Sequence, residues 1–162
     1  MTIKLKNKDT LIYDDFKLKC CVGSNGIKYK KIEGDKSTPR GIFTLGKIYY
    51  RPDRVEKPET NLPIKKITKN MGWCDDPNSR YYNSEINIYK KIKCEKLFKK
   101  DNKYNYFLVI NYNINKKKFK GSAIFIHLTN NYYPTAGCIA LKKKDFLILI
   151  KLINKKTKII IN

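Results

Sequence analysis

Short apolar runs, alternating or continuous and each closed by asparagine, aspartate, glycine or proline, fill most of this chain. TIKL, TLIYDD and FKLKCCVG, beginning at Thr2, Thr10 and Phe16, have the length and punctuation of β-strands. In EGDKSTPRGIFTLGKIYYR, Gly34, Pro39, Gly41 and Gly46 break the chain into turns around a strand over IFTLGKIYY. From Pro52 to Asn83 prolines recur and the apolar positions lose their period, which predicts an ordered but irregular excursion. YNYFLVINYN and GSAIFIHL predict two more strands, the second nearly all apolar and therefore buried on both faces. Alternation there assigns Ile124, Ile126 and Leu128 to one face and Ala123, Phe125 and His127 to the other.

After Cys138 the period changes. KKKDFLILIKLINKK predicts a helix from about Lys142 to Asn154, lysine-flanked at both ends, and TKIIIN a terminal strand. No repeat and no low-complexity linker divides the sequence. The pattern therefore predicts one domain over residues 1–162, mostly β, of sandwich or barrel type, with one clear helix in the C-terminal half.

Composition narrows the chemistry. A chain of 162 residues with 41% hydrophobic content can bury a core without disulfide staples. Its formal charge of +22 points to an anionic partner such as nucleic acid, an anionic membrane or an acidic polymer. The charge is nearly all lysine, with arginine only at Arg40, Arg51, Arg54 and Arg80, and asparagine and isoleucine are abundant beside it. An AT-rich genome produces that trio together, and the scarcity of arginine and scatter of lysine argue against a specific nucleic-acid partner. Five cysteines, odd in number and irregular in spacing, predict no disulfide framework but small buried residues. Without a C-x-x-C pair and with one histidine, no structural zinc is expected, and no metal or other cofactor is called for. The N-terminal charges stand too close for the apolar core of a signal peptide, and no apolar run is long enough to span a bilayer.

One constellation carries chemistry. The only histidine, His127, ends an apolar strand eleven positions before Cys138 in PTAGCIAL. The turn-forming TNNYYP between them lets the chain fold back and set the thiol beside the imidazole. A thiol of ordinary pKa is mostly protonated at neutral pH, and an adjacent histidine is the usual way to obtain the nucleophilic thiolate. Gly137, lacking a side chain, would let the backbone N–H groups around Cys138, in the Ala136–Gly137–Cys138 turn, approach a substrate carbonyl as an oxyanion hole. The same spacing also suits a hydrogen-bonded core histidine and a buried structural cysteine.

The run GSAIFIHLTNNYYPTAGCIAL resembles the signature of the L,D-transpeptidase catalytic domain family, the YkuD-like domain. EGDKSTPRGIFTL resembles that family's threonine-proline-x-glycine turn. GWCDDPNSRYYN and YNYFLVINYN resemble its peptidoglycan transpeptidase-like branch. The resemblance implies the family's β-rich fold, a peptidoglycan stem peptide as substrate, Cys138 as acyl-accepting nucleophile and His127 as base. It also implies that the backbone carbonyl of Leu128 orients the imidazole. Where the common pattern has a second histidine and a polar residue, this chain has Ala136 and Ala140, a trait of that branch.

Other candidates have a structural alternative beside the functional one. Thr38, Pro39 and Gly41 suit a hairpin turn as well as a substrate contact. Asp75 and Asp76 suit acid–base work, a groove wall or ordinary loop capping. Tyr82, Asn83, Thr135, Tyr132 and Tyr133 are candidates to line the groove, and Trp73 either walls it or packs in the core. The resulting expectation is a monomeric L,D-transpeptidase working through a Cys138 thioacyl intermediate, located in the cell envelope or periplasm by its substrate although no signal peptide is visible. Water as acceptor would make it an L,D-carboxypeptidase. A catalytically lapsed wall-binding protein and a basic nucleic-acid-binding module are the remaining alternatives.

Overall fold

The computed structural model describes residues 1–29 and 31–162. Its strands are, in chain order, β1 (Thr2–Lys6), β2 (Thr10–Tyr13), β3 (Phe16–Cys21), β4 (Ile27–Lys28), β5 (Thr38–Pro39), β6 (Gly41–Tyr50) and β7 (Ile64–Lys66). There follow β8 (Met71–Cys74), β9 (Glu85–Asn87), β10 (Cys94–Lys96), β11 (Tyr106–Ile110), β12 (Phe125–Leu128), β13 (Ile139–Leu141), helix α1 (Lys143–Leu152) and β14 (Lys158–Ile161).

The main sheet runs β11-β12-β13-β3-β2-β1-β14-β6-β7, and a further pairing of β11 with β6 closes it on itself. The long β6 makes closure possible: its first half pairs with β14 and its second with both β11 and β7. The result is a barrel-like β-sandwich with one helix, the architecture expected from the sequence. Closure leaves the short β7, paired only with β6, as the edge strand of the main sheet. A small sheet, β10-β8-β9, packs beside it.

Alternation along the strands builds two cores. Leu108, Ile110, Ile124, Ile126 and Leu128 join Phe146, Leu149 and Ile150 of α1 in the larger. Tyr49, Phe107, Val109 and Phe125, on the opposite face, join Trp73, Met71 and Cys138 in the smaller. The helical residues Phe146, Leu149 and Ile150 follow the i, i+3, i+4 stripe of a one-sided helix. The helix is shorter than predicted because Lys142 and Ile153 are both extended, so they flank it rather than continue it. Among the described residues no helix is long and apolar enough to cross a membrane.

The excursion over residues 52–83 is more regular than its sequence predicts. It contains β7 and β8, and all four residues of β8 are buried, so no polar–apolar period marks the strand. All five cysteines are free thiols, four of them buried.

Candidate active site

Strands β12 and β13 run parallel and side by side, with His127 opposite Ala140. Cys138, two positions before Ala140, projects to the same face as Ala140, and His127 and Phe125 project to that face of β12. The register therefore brings His127 and Cys138 to one face of adjacent strands. Both line a cleft of about 970 Å³, together with Thr135, Ala136, Tyr133 and Asp75.

The imidazole has a defined tautomer. Its Nδ1 lies 2.9 Å from the carbonyl oxygen of Leu128. A carbonyl only accepts, so Nδ1 carries the proton and Nε2 keeps its lone pair. Burial pushes the His127 pKa below the ordinary imidazole value, opposed by the Leu128 carbonyl and Glu95 and aided by Lys103 and Lys99. The ring is thus neutral at neutral pH, the form a general base requires. Tyr104 holds it from the side, edge-on at 5.6 Å between ring centroids.

Cys138 is only 8% exposed. Its thiol donates to the carbonyl of Ala123 at 3.2 Å, and its sulfur accepts the Phe125 N–H at 3.3 Å. Burial first, and then the Glu95 charge, raise its pKa to about 12, while the Phe125 amide, Lys31 and Lys99 pull the other way. At rest the two residues are therefore a neutral thiol, bonded to the Ala123 carbonyl, and a neutral imidazole, bonded to the Leu128 carbonyl. Ala123 holds its carbonyl toward the sulfur from the left-handed region, φ 53°, a conformation costly for a residue with a side chain.

Two threonines fix the loop that carries the cysteine. Thr135 Oγ1 donates to the Cys138 carbonyl at 2.6 Å and accepts the Gly137 N–H at 3.0 Å. Thr38 Oγ1 donates to the Gly137 carbonyl at 2.9 Å and accepts the Gly23 N–H at 2.9 Å. Thr38 and Pro39 form β5, paired with β4. The threonine-proline turn is thus a structural element that clamps the loop carrying Cys138, a role whose only sequence signal is the motif itself. Gly137 is needed for space: at φ +138° a Cβ there would meet the Ser37 carbonyl oxygen at 2.8 Å. Its N–H, expected to face a substrate oxygen, is occupied by Thr135 in this conformation, while Ala136 stands exposed on the cleft.

The remaining candidates separate. Asp75 lines the cleft, and burial, with Glu33 and Glu95 nearby, raises its pKa against the pull of Lys93. Asp76 caps its own loop, accepting the Asn78 N–H at 3.0 Å. Tyr82, 1% exposed, donates its hydroxyl to Glu33 and accepts the Gly121 N–H. Asn83 accepts from Trp73 Nε1 and the Ala123 N–H and donates to the carbonyls of Tyr112 and Asn113. Neither Tyr82 nor Asn83 lines the cleft; they brace the segment that presents Ala123 to the sulfur. Trp73 packs edge-on against Phe125 at 5.0 Å and belongs to the core. Tyr133 is 75% exposed at the cleft mouth. Tyr132 lies under the ammonium groups of Lys19 and Lys142.

Comparison with known proteins agrees with this architecture. The family model of the L,D-transpeptidase catalytic domain, YkuD, matches residues 2–161, and the chain belongs to that family. Among solved structures, the chain is similar to the helical cell shape determining protein Pgp2 from Campylobacter jejuni, with a TM-score of 0.53 and 20% identity. That likeness is one of fold; it covers 99% of this chain and 46% of Pgp2, so the chain spans about half of that protein's length. No curated protein matches significantly.

Proposed function

We propose that residues 1–162 form one catalytic domain that acts as an L,D-transpeptidase on peptidoglycan stem peptides, with Cys138 as nucleophile and His127 as base. The observation that carries this reading is the Nδ1 contact to Leu128, which leaves Nε2 free to accept a proton on the face shared with Cys138. The thiol proton passes to Nε2 as sulfur bonds to the donor carbonyl carbon. The carbon–nitrogen bond to the terminal D-residue breaks, and its amine departs with the proton returned by the imidazolium. An amine acceptor then gives a proton to His127 and attacks the thioester, which releases the thiol. The resting thiol needs such a base because its own pKa lies far above neutrality. The wall polymer places the protein in the cell envelope, where an anionic polymer would concentrate a chain of charge +22. It acts as a monomer and without a specific nucleic-acid partner.

The depth of Cys138 favours a second reading, a wall-binding protein that no longer turns over substrate. Incubation with a stem tetrapeptide separates the two. The first predicts release of the terminal D-amino acid by the wild type and none by Cys138→Ala. No release by a folded wild type supports the second. Release with water rather than an amine as acceptor identifies the L,D-carboxypeptidase variant of the same chemistry.

A further inference from the structure

Strands β8 and β10 set two cysteines directly opposite each other. Their antiparallel register pairs Cys74 with Cys94, Trp73 with Glu95 and Gly72 with Lys96. Opposed residues in such a ladder alternate between hydrogen-bonded and non-hydrogen-bonded pairs. The Leu97 N–H donates to the Met71 carbonyl, so that pair and the Trp73–Glu95 pair are bonded, while Cys74 and Cys94 are not. The backbone of Cys74 agrees: its N–H donates to Ser84 and its carbonyl accepts from Asn83, both on the side of β9.

In a non-hydrogen-bonded pair the Cα atoms stand about 4.5 Å apart, and the side chains share one face at their closest approach. That separation lies inside the range a disulfide spans, about 4.4 to 6.8 Å. Both thiols are free and lean apart. Cys74 donates to the Asp76 carbonyl at 4.0 Å, and Cys94 Sγ lies over Gly72, where a Cβ would meet it at 2.7 Å. Joining them asks for rotation of the side chains and no shift of the strands. The other cysteines are placed differently: Cys20 and Cys21 stand opposite Leu141 and Ala140, and Cys138 packs in the smaller core. Cys74 is fully buried and Cys94 partly exposed, so a reagent from solvent meets Cys94 first. The residues that follow the two cysteines, Asp75 and Glu95, line the Cys138 cleft. Glu95 also accepts the Tyr104 hydroxyl at 2.7 Å, and Tyr104 packs against His127.

We propose that Cys74 and Cys94 are a site of reversible oxidation, forming a disulfide that ties β8 to β10 behind the wall of the cleft. The oxidant is another disulfide. The Cys94 thiolate attacks one of its sulfurs and the other leaves as a thiol; the Cys74 thiolate then displaces the half held on Cys94. One S–S bond replaces another, and two electrons and two protons pass to the oxidant. Burial, and then the Asp75 charge, raise the Cys94 pKa against the pull of Lys96, so the first step quickens with alkalinity.

The site is independent of turnover at Cys138. Folded wild-type protein is incubated with oxidised glutathione at mildly alkaline pH, then unfolded, alkylated and digested. Peptide mapping should find Cys74 linked to Cys94 with neither alkylated. The urea midpoint should rise by about 1 M and return to its starting value with dithiothreitol. In folded Cys94→Ala, no link forms at Cys74 and the midpoint does not rise. Full alkylation of Cys74 and Cys94 in the treated wild type, glutathione retained on Cys94, or a link from either cysteine to Cys20, Cys21 or Cys138 overturns the site.

Discussion

His127 Nδ1 lies 2.9 Å from the carbonyl oxygen of its own neighbour, Leu128, so the residue that follows the histidine fixes its tautomer. No carboxylate is needed for the task, and an imidazolium formed in the proposed reaction would keep a hydrogen-bond acceptor at Nδ1. Because burial depresses the His127 pKa, the neutral ring persists below pH 6.5. The acid limb of kcat/KM is therefore expected below that pH, not at it. The same shift makes a stability prediction: the unfolded chain binds the proton more readily, so stability is full above about 6.5 and declines as pH falls through the lower folded value. Urea midpoints measured across this window should fall with acid in the wild type and fall less in His127→Gln.

Thr38 predicts a different signature, since it holds the Cys138 loop without touching the sulfur. Thr38→Val keeps the shape and removes both hydrogen bonds, leaving the Gly137 carbonyl and the Gly23 N–H without partners. At about 1 to 3 kcal/mol for each buried group left unpaired, a loss of roughly 2 to 6 kcal/mol is expected from urea unfolding. Thr38→Ser, which restores the hydroxyl, should recover most of it.

Asn83 makes four hydrogen bonds from one side chain, to Trp73, Ala123, Tyr112 and Asn113. Asn83→Ala should cost roughly 2 kcal/mol in stability, consistent with loss of a half-buried polar hub. Its KM for a stem peptide should stay within about twofold of wild type. A selective rise in KM with unchanged stability would return Asn83 to the list of substrate contacts.

These particular residues also show what the sequence reveals about itself. The two faces of β12 are legible because Ile124, Ile126 and Leu128 alternate with Phe125 and His127, and the structure sends the first set to the larger core, Phe125 to the smaller and His127 to the cleft. The α1 stripe is legible for the same reason, through the helical period of Phe146, Leu149 and Ile150. Strands β8 and β13 are not, because they are as fully buried as β12 but lack the longer apolar run in which β12 sits. Contacts across long separations leave no local trace at all. Thr38 meets Gly137 across 99 positions, and Tyr82 meets Glu33 across 49. The resemblance of the threonine-proline turn marked Thr38 as belonging to the family motif, but only the fold explains what its hydroxyl does.

The most direct measurement of the central claim is intact mass after exposure to a carbapenem, whose strained ring offers an acyl group to a reactive thiol. Cys138 has a thiol raised to about 12 and four competing cysteines elsewhere in the chain, so general thiol reactivity does not favour it. A base-assisted nucleophile nonetheless predicts a single adduct, mapped to Cys138, that disappears in Cys138→Ala and forms at least tenfold more slowly in His127→Ala. A folded wild-type protein that gains no adduct, or gains one whose rate ignores His127, contradicts the account and leaves Cys138 a core residue of a wall-enzyme fold.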